Sequence, residues 1–348
     1  MRLTREELNR TLLQRQGLLE RRSGSVASVV RHLVGLQAQE RLSPYVGLAA
    51  RLEAFDPAQV TAGLESAALV RMVCLRGTIH LLTDDDALMI RSWTVPIQER
   101  ERVVAQNLRA VRDLDLVPFR AAVSAALADG PLSVKALGEA LAVAYPDRPP
   151  VALAGLARVA EPLAQLPPRG TWRRPGGVVY HHVDRWVGRP LAAADPADLV
   201  RRYLRAFGPA TAADVTTWSG VPGVATVLGK MPDLVRHEDE RGRALWDVPD
   251  AEIVAGDAPA PVRLLGIYDN LWLSHAARDR VTSPETRKRW AGTNGGLACT
   301  IFVDGWLAGL WRPAGDRVGS VELFDTVTPA QRSELDAEVA RVDVLLAS

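Results

Sequence analysis

The stretch "GPATAADVTTWSGVPGVATVLGKM" (Gly208–Met231), with the "LVRHEDERGRALWDV" that follows it (Leu234–Val248), decides the fold. The first reads as helix, a Gly220-Val221-Pro222 turn, and a second helix, the order of a helix-turn-helix unit. The second reads as a hairpin whose polar tip carries Arg241-Gly242. Helix-turn-helix followed by hairpin is a winged helix.

The same order is found twice upstream. Near the N-terminus, Thr4 followed by Glu7 is a capping box, in which each side chain satisfies a free backbone N–H of the first turn. Leu8, Leu12 and Leu19 then share a helical face. A second helix is predicted from Ser25 to Val34, with Gly35 as its stop. Ser43-Pro44 and Asp56-Pro57 each read as a cap followed by the first helical residue. "LVRMVCLRGTIHLL" then gives two strands turning near Arg76-Gly77, and Thr83 with Asp86 caps the next helix. In the middle copy, "PLSVKALGEALA" is a helix capped by Ser133, and "VALAGLARVAEPLAQL" is a further helical stretch. "TWRRPGGVVYHHV" reads there as strand, Pro-Gly-Gly turn, strand.

Downstream, "PDAEIVAGDAPAP" is a linker, after which the character changes. "VRLLGIYDNLWLSH", "ACTIFVDGWLAGLWR" and "SVELFD" are β-rich, with Asp304-Gly305 as a hairpin signal. "TPAQRSELDAEVARVDVLLA" is a closing helix capped at Thr328. The expected fold is α+β: three tandem winged-helix domains at 1–115, 116–192 and 193–252, then a β-barrel-like domain at 253–348.

Composition narrows the function classes. The 348 residues suggest two to four domains. Lys plus Arg number 42 against 41 Asp plus Glu, a net charge of +1, so a uniform basic coat is excluded and any DNA surface is local. Two such local surfaces stand out. Arg169 to Arg189 holds five Arg against one Asp, interleaved with Trp172, Tyr180 and Trp186. Arg278 to Arg289 holds four Arg and one Lys against Asp279 and Glu285. Both lie on or beside turns that can reach phosphates, a solvated face being the alternative reading of each. Cys74 and Cys299 sit in apolar runs without a CxxC partner, as buried free thiols of a reducing compartment do. The charged N-terminus is no signal peptide, and no run approaches the ~20 apolar residues of a membrane span. A cytoplasmic, nucleoid-associated protein is expected.

Several catalytic patterns fail. His181, His182 and Asp184 are near in sequence, but successive strand residues face opposite ways, so a shared metal is not expected. "TWSGVP" lacks the GxSxG spacing, there is no GxxxxGK[ST] loop, and "TNGGLA" has no following Lys. What remains is "GLQAQE" (Gly35–Glu40), in which Gln37 and Gln39 lie two apart in a connection between helices. In a helix that spacing separates them; in an extended segment it puts them on one face. Capping of neighbouring helix ends is the simpler reading of such a pair when it stands alone.

"GLQAQ", "LRGTIHLL", "YDNLWLSH" and "FVDGWLAGLWR", in this order, resemble the bacterial winged-helix family that contains the AlkZ-type DNA glycosylases. The resemblance implies three winged helices and a C-terminal β-barrel domain. It implies a Gln-aliphatic-Gln catalytic motif, matched by Gln37-Ala38-Gln39, with Ala38 smaller than the usual central residue. It also implies excision of bulky N7-alkylguanine adducts or crosslinks, as in self-resistance of antibiotic producers. On this reading the protein is a monofunctional DNA glycosylase acting on double-stranded DNA that contains alkylated guanine, without metal or cofactor, and a monomer. No Lys near the motif offers a Schiff base. Arg76, Arg173, Arg174, His275, Arg278, Arg280 and Arg312 are the expected DNA contacts. The rival class is a winged-helix transcriptional regulator.

A glutamine pair suits that chemistry. General acid catalysis contributes about 10²–10⁴-fold where a leaving group must be protonated. An N7-alkylated guanine is already cationic, so its bond to the sugar breaks toward an oxocarbenium-like centre without a proton donor. Amide dipoles then suffice to orient water and stabilise positive charge. In this scheme Gln39 holds the water and Gln37 the sugar or water. A bulky adduct cannot swing freely out of the base stack, so an open site on the groove side is expected in place of a deep base pocket.

Overall fold

The computed structural model describes residues 1–292 and 298–348. The weak "TNGGLA" stretch therefore falls largely outside the described residues. The chain packs into two compact units, neither continuous in sequence. One takes residues 1–57, 196–218 and 223–348; the other takes 58–195 and 219–222. The four sequential segments expected from linkers and turn signals do not coincide with these two units.

In the first unit, the Thr4–Glu7 capping box opens the helix Arg5–Arg15. A two-residue strand before it, Arg2–Leu3, pairs in parallel with the hairpin strand Val235–Asp239, Arg2 opposite Glu238. The helices Pro196–Phe207, Ala212–Ser219 and Val224–Leu228 precede that hairpin in the order the sequence predicts. Its second strand, Ala244–Asp247, pairs antiparallel across a tip in which Gly242 takes φ 75°. Tyr203 stacks on Phe207 at 5.0 Å and meets Trp218 at 4.9 Å, forming the aromatic centre of this group. Arg15 holds both oxygens of Asp247 at 2.8 Å, both side chains being buried.

The C-terminal strands correct one expectation. Arg263–Leu265, Cys299–Val303, Trp306–Ala314 and Arg317–Leu323 form an open antiparallel sheet in sequence order, not a closed barrel. Asp304 and Gly305 make the predicted turn with φ of 48° and 78°. The long helix Pro329–Ala347, capped at Thr328, packs on this sheet. A covering helix buries one face without the tilt and stagger that closure demands. "YDNLWLSH" is also not a strand: it ends in the short helix Asn270–Leu273, because the Asp269 carboxylate accepts from Leu271 N and starts a turn.

In the second unit, Leu69–Val73 pairs antiparallel with Ile79–Thr83 as predicted. The turn holds because Arg76 and Gly77 both take positive φ. Leu69–Val73 also pairs with Leu163–Gln165, then come Val179–His182 and Leu132–Ser133. Here "VALAGLARVAEPLAQL" divides: the helix Pro150–Ala160 stops at Glu161, since Pro162 follows, and Leu163–Gln165 becomes a strand. It is this strand, not "TWRR", that pairs with Val179–His182. Phe119, Leu137, Leu153 and Leu156 are the centre of the core. Cys74 and Cys299 are both free and buried, as their apolar surroundings predict. Among the described residues, no helix is long and apolar enough to cross a membrane.

Candidate active site

The Gln37-Ala38-Gln39 stretch begins where a helix is made to stop. After the helix Val26–His32, Val34 and Gly35 both take positive φ, 52° and 95°. For a β-branched residue that conformation is strained, and Val34 keeps it while fully buried. Gly35 N donates back to Val30 O at 2.9 Å, and the chain leaves the helix as a two-residue strand, Leu36–Gln37. Gln37 is 7% exposed, Ala38 is buried, and Gln39 is exposed in a bend. The small Ala38 has no solvent access.

The neighbouring groups fix this backbone from both sides. Asn270 Nδ2 donates to Gly35 O at 2.8 Å, reaching from a segment 235 residues away. Asp269, next to it, grips Arg51 in a fully buried two-point ion pair at 2.7 and 2.8 Å. Arg51 also donates to Gly47 O and to Gln16 Oε1. On the downstream side, Glu40 Oε2 accepts from Leu42 N at 2.8 Å and Ser43 N at 3.1 Å. Glu40, not Ser43, therefore caps the helix Ser43–Ala49, and its carboxylate also favours the positive end of that helix.

The expected DNA contacts divide sharply. Arg173, Arg174 and Arg312 are exposed. Arg173 lies over the Trp172 ring at 5.6 Å, and Arg174 pairs with Glu65 at 2.8 Å. Arg76 is partly exposed, yet desolvation brings its guanidinium down to about 10. It donates to His80 Nε2 at 3.3 Å, while His80 Nδ1 donates to Thr78 O. Burial, then the charge of Arg76, pushes His80 down to about 3, so it stays neutral.

His275 and Arg280 require correction. They are only 3% and 6% exposed and cannot meet a phosphate. His275 Nε2 donates to Phe207 O at 3.1 Å, and Arg280 Nη1 donates to Pro209 O at 2.7 Å. Burial and the neighbouring Arg280 push His275 down to about 3. Burial opposes the charge on Asp214, but Arg280 and the bonds from Thr211 outweigh it and hold the carboxyl below its ordinary range. These groups knit the ends of helices together inside the unit.

Arg278 is half-buried, donating to Trp272 O at 3.0 Å with its guanidinium over the Trp272 ring. It lines a cleft of about 490 Å³ with Arg241, Arg287 and Lys288, beside Asp279. The hairpin-tip Arg241, read from sequence only as part of a turn, thus joins the basic run 278–289. Its position at an exposed hairpin tip was the available signal. The trio His181, His182 and Asp184 does not gather: His182 is buried and His181 only partly, with ring centres 6.5 Å apart. Among the described residues, no group of three His, Cys, Asp or Glu is placed to hold a metal.

Three likenesses bear on this arrangement. An interstrand DNA cross-link repair glycosylase of Streptomyces sahachiroi is 27% identical over 330 residues, covering 86% of this chain and 85% of that protein. The solved structure of the Streptomyces sahachiroi DNA glycosylase AlkZ shares this fold with a TM-score of 0.80 at 21% identity, over 100% of this chain and 97% of that one. The family described as DNA glycosylase AlkZ-like matches residues 30–343, a span that takes in both glutamines and the Asp269-Asn270 bracket. The chain belongs to the AlkZ-like DNA glycosylase family, and it is a DNA glycosylase.

Proposed function

We propose that this glycosylase hydrolyses the N-glycosidic bond of cationic N7-alkylguanine in duplex DNA, including bulky adducts and interstrand crosslinks. The observation that carries the reading is the Gln37-Ala38-Gln39 motif on a braced, non-helical segment, with Gln39 open to solvent. Gln39 orients the attacking water and Gln37 supports the developing charge on the sugar. Neither amide is a proton donor for a neutral leaving group, so undamaged guanine is spared. Arg173, Arg174, Arg76 and Arg312, with the basic cleft around Arg278, supply phosphate contacts that position the duplex. The helix-plus-hairpin segments are taken as winged helices at 1–115, 116–192 and 193–252, and the protein as a monomer. The cross-link substrate is suggested by the likeness to the interstrand DNA cross-link repair glycosylase of Streptomyces sahachiroi. The regulator reading is set aside because the family is one of glycosylases.

The test is incubation with duplexes carrying one 7-methylguanine, or a guanine–guanine crosslink, followed by chromatography of released base. Wild type releases alkylated guanine and leaves unmodified DNA intact. The double variant Gln37→Ala, Gln39→Ala binds the duplex with unchanged affinity and loses base release by about 10²–10³-fold. Full activity in that variant overturns the mechanism.

A further inference from the structure

The stretch from Gly266 to Asn270 runs beside the glutamine segment and is tied to it at both ends. At one end Asn270 Nδ2 donates to Gly35 O at 2.8 Å. At the other, a Cβ placed on Gly266 would lie 2.9 Å from Ser43 Cα, so the two backbones nearly touch. Between these ties, the Ile267 backbone hydrogen-bonds the Cys299 thiol, which also feels the charges of Glu40 and Arg312. Ile267 and Tyr268 are therefore neighbours of Gln39 and Glu40. Both segments are buried near their ties and open to solvent at this point, where Gln39 is exposed and Tyr268 half-buried. Tyr268 takes φ 64°. A tyrosine in the left-handed region is strained, and glycine or asparagine would make the same turn more easily. Its hydroxyl makes no hydrogen bond to another described residue, so no bond of its own offsets the strain. Strain kept at a bulky side chain that reaches solvent beside Gln39 points to a use for that side chain.

We propose that Tyr268 is a further catalytic residue, whose ring face lies against the deoxyribose of the lesion and stabilises the positive charge that develops there. The proposal rests on the assignment of Gln39 to the attacking water. When the bond from C1′ to the base breaks, its electron pair leaves with the base and neutralises the N7 cation. The positive charge passes to C1′ and O4′ of the sugar. Water then adds to C1′ and gives up a proton to solvent. A residue beside the water site meets the sugar, and an aromatic face attracts a cation without donating a proton. The sugar is neutral in the ground state, so the attraction is made mainly in the transition state and speeds the reaction.

Two duplexes with no base to excise test the contact. One carries a pyrrolidine whose cationic nitrogen stands at the anomeric position; the other carries a neutral tetrahydrofuran. Wild type binds the pyrrolidine duplex more tightly, Tyr268→Phe keeps that preference, and Tyr268→Leu loses most of it. A ratio between two duplexes in one variant is not moved by lost stability. Tyr268→Asn, which accepts the left-handed turn, serves if Tyr268→Leu does not fold. Single-turnover release of 7-methylguanine falls about 2- to 30-fold in Tyr268→Leu. No preference in wild type, or a preference that survives Tyr268→Leu, overturns the proposal. A preference lost already in Tyr268→Phe assigns the effect to the hydroxyl and overturns the ring contact. Wild type that shows the preference but releases no 7-methylguanine sinks the alkylguanine reading and leaves Tyr268 in place. Release by Tyr268→Leu at the wild-type rate sinks Tyr268 and leaves that reading standing.

Discussion

Two motif blocks of this chain, "GLQAQ" and "YDNLWLSH", are equally conspicuous as strings of polar residues among apolar ones, yet the fold treats them in opposite ways. In the first, the chain ends a helix under strain and brings Gln39 out to solvent. In the second, Asp269, Asn270, Ser274 and His275 are all buried, each tied to another group of the unit. The two meet directly, through Asn270 Nδ2 and Gly35 O. A polar motif can therefore mark either a segment brought to the surface or the bracket that holds it. Exposure and hydrogen-bond partners separate the cases; composition does not.

If the second block is a bracket, damage to it should register as lost stability before anything else. Asp269→Ala leaves the buried Arg51 charge without its partner, and the expected loss is about 3–5 kcal/mol in urea unfolding. A loss under about 1 kcal/mol would mean that Arg51 finds other acceptors and the bracket is incidental. Asn270→Ala is the finer cut. It removes one bond to Gly35 O and should cost about 1–3 kcal/mol. Because that bond fixes the backbone two residues before Gln37, base release should fall even well below the melting temperature, with duplex affinity unchanged. Asn270→Ala with wild-type release would show that the glutamines do not need the tether.

Much of this arrangement is readable in the sequence because it is written locally. The Thr4–Glu7 box, the Ser133 and Thr328 caps, and the Asp304-Gly305 turn depend on residues one to three apart, and all form as the spacing predicts. The Gln-Ala-Gln motif is legible only by resemblance, since nothing in two amides and an alanine specifies a reaction. What escapes is long-range. Asn270 meets Gly35 across 235 residues, and Arg2–Leu3 joins a hairpin more than two hundred residues on. The open C-terminal sheet escapes for a related reason: strand-like patterning shows which face is buried but not whether the last strand meets the first. His275 and Arg280 read as DNA contacts because a basic residue in or beside a basic run looks alike in sequence whether it faces DNA or a backbone carbonyl.

His275 also gives the bracket a pH signature. Its folded pKa lies near 3, below the value of about 6.5 of a free histidine, so the native state favours the neutral ring. A depressed folded pKa contributes stability fully above about pH 6.5 and loses it as the pH falls toward 3. At pH 5.5 the loss for His275 relative to neutral pH is on the order of 1 kcal/mol. His80, also brought to about 3, adds a similar loss in the 58–195 unit. Urea midpoints at pH 7.5 and 5.5 measure this. His275→Gln keeps a donor for Phe207 O but cannot titrate, so it should reduce the fall. An unchanged fall in that variant would place the titration elsewhere.

The smallest expected effect separates the exposed arginines from the buried ones. Arg173 and Arg312 sit on the surface, where truncation usually changes stability by no more than about 0.5 kcal/mol. If each meets one phosphate, Arg173→Ala and Arg312→Ala should each reduce the slope of log affinity against log salt by about 0.9, uniformly across duplex sequences. His275→Gln should leave that slope untouched, because its imidazole is occupied by Phe207 O and shut away from solvent. Salt-titrated gel shifts on undamaged duplexes read this without requiring catalysis. A slope that falls in His275→Gln and holds in Arg173→Ala would reverse the assignment of surface and bracket, since a buried neutral ring releases no counterions unless the unit opens on DNA.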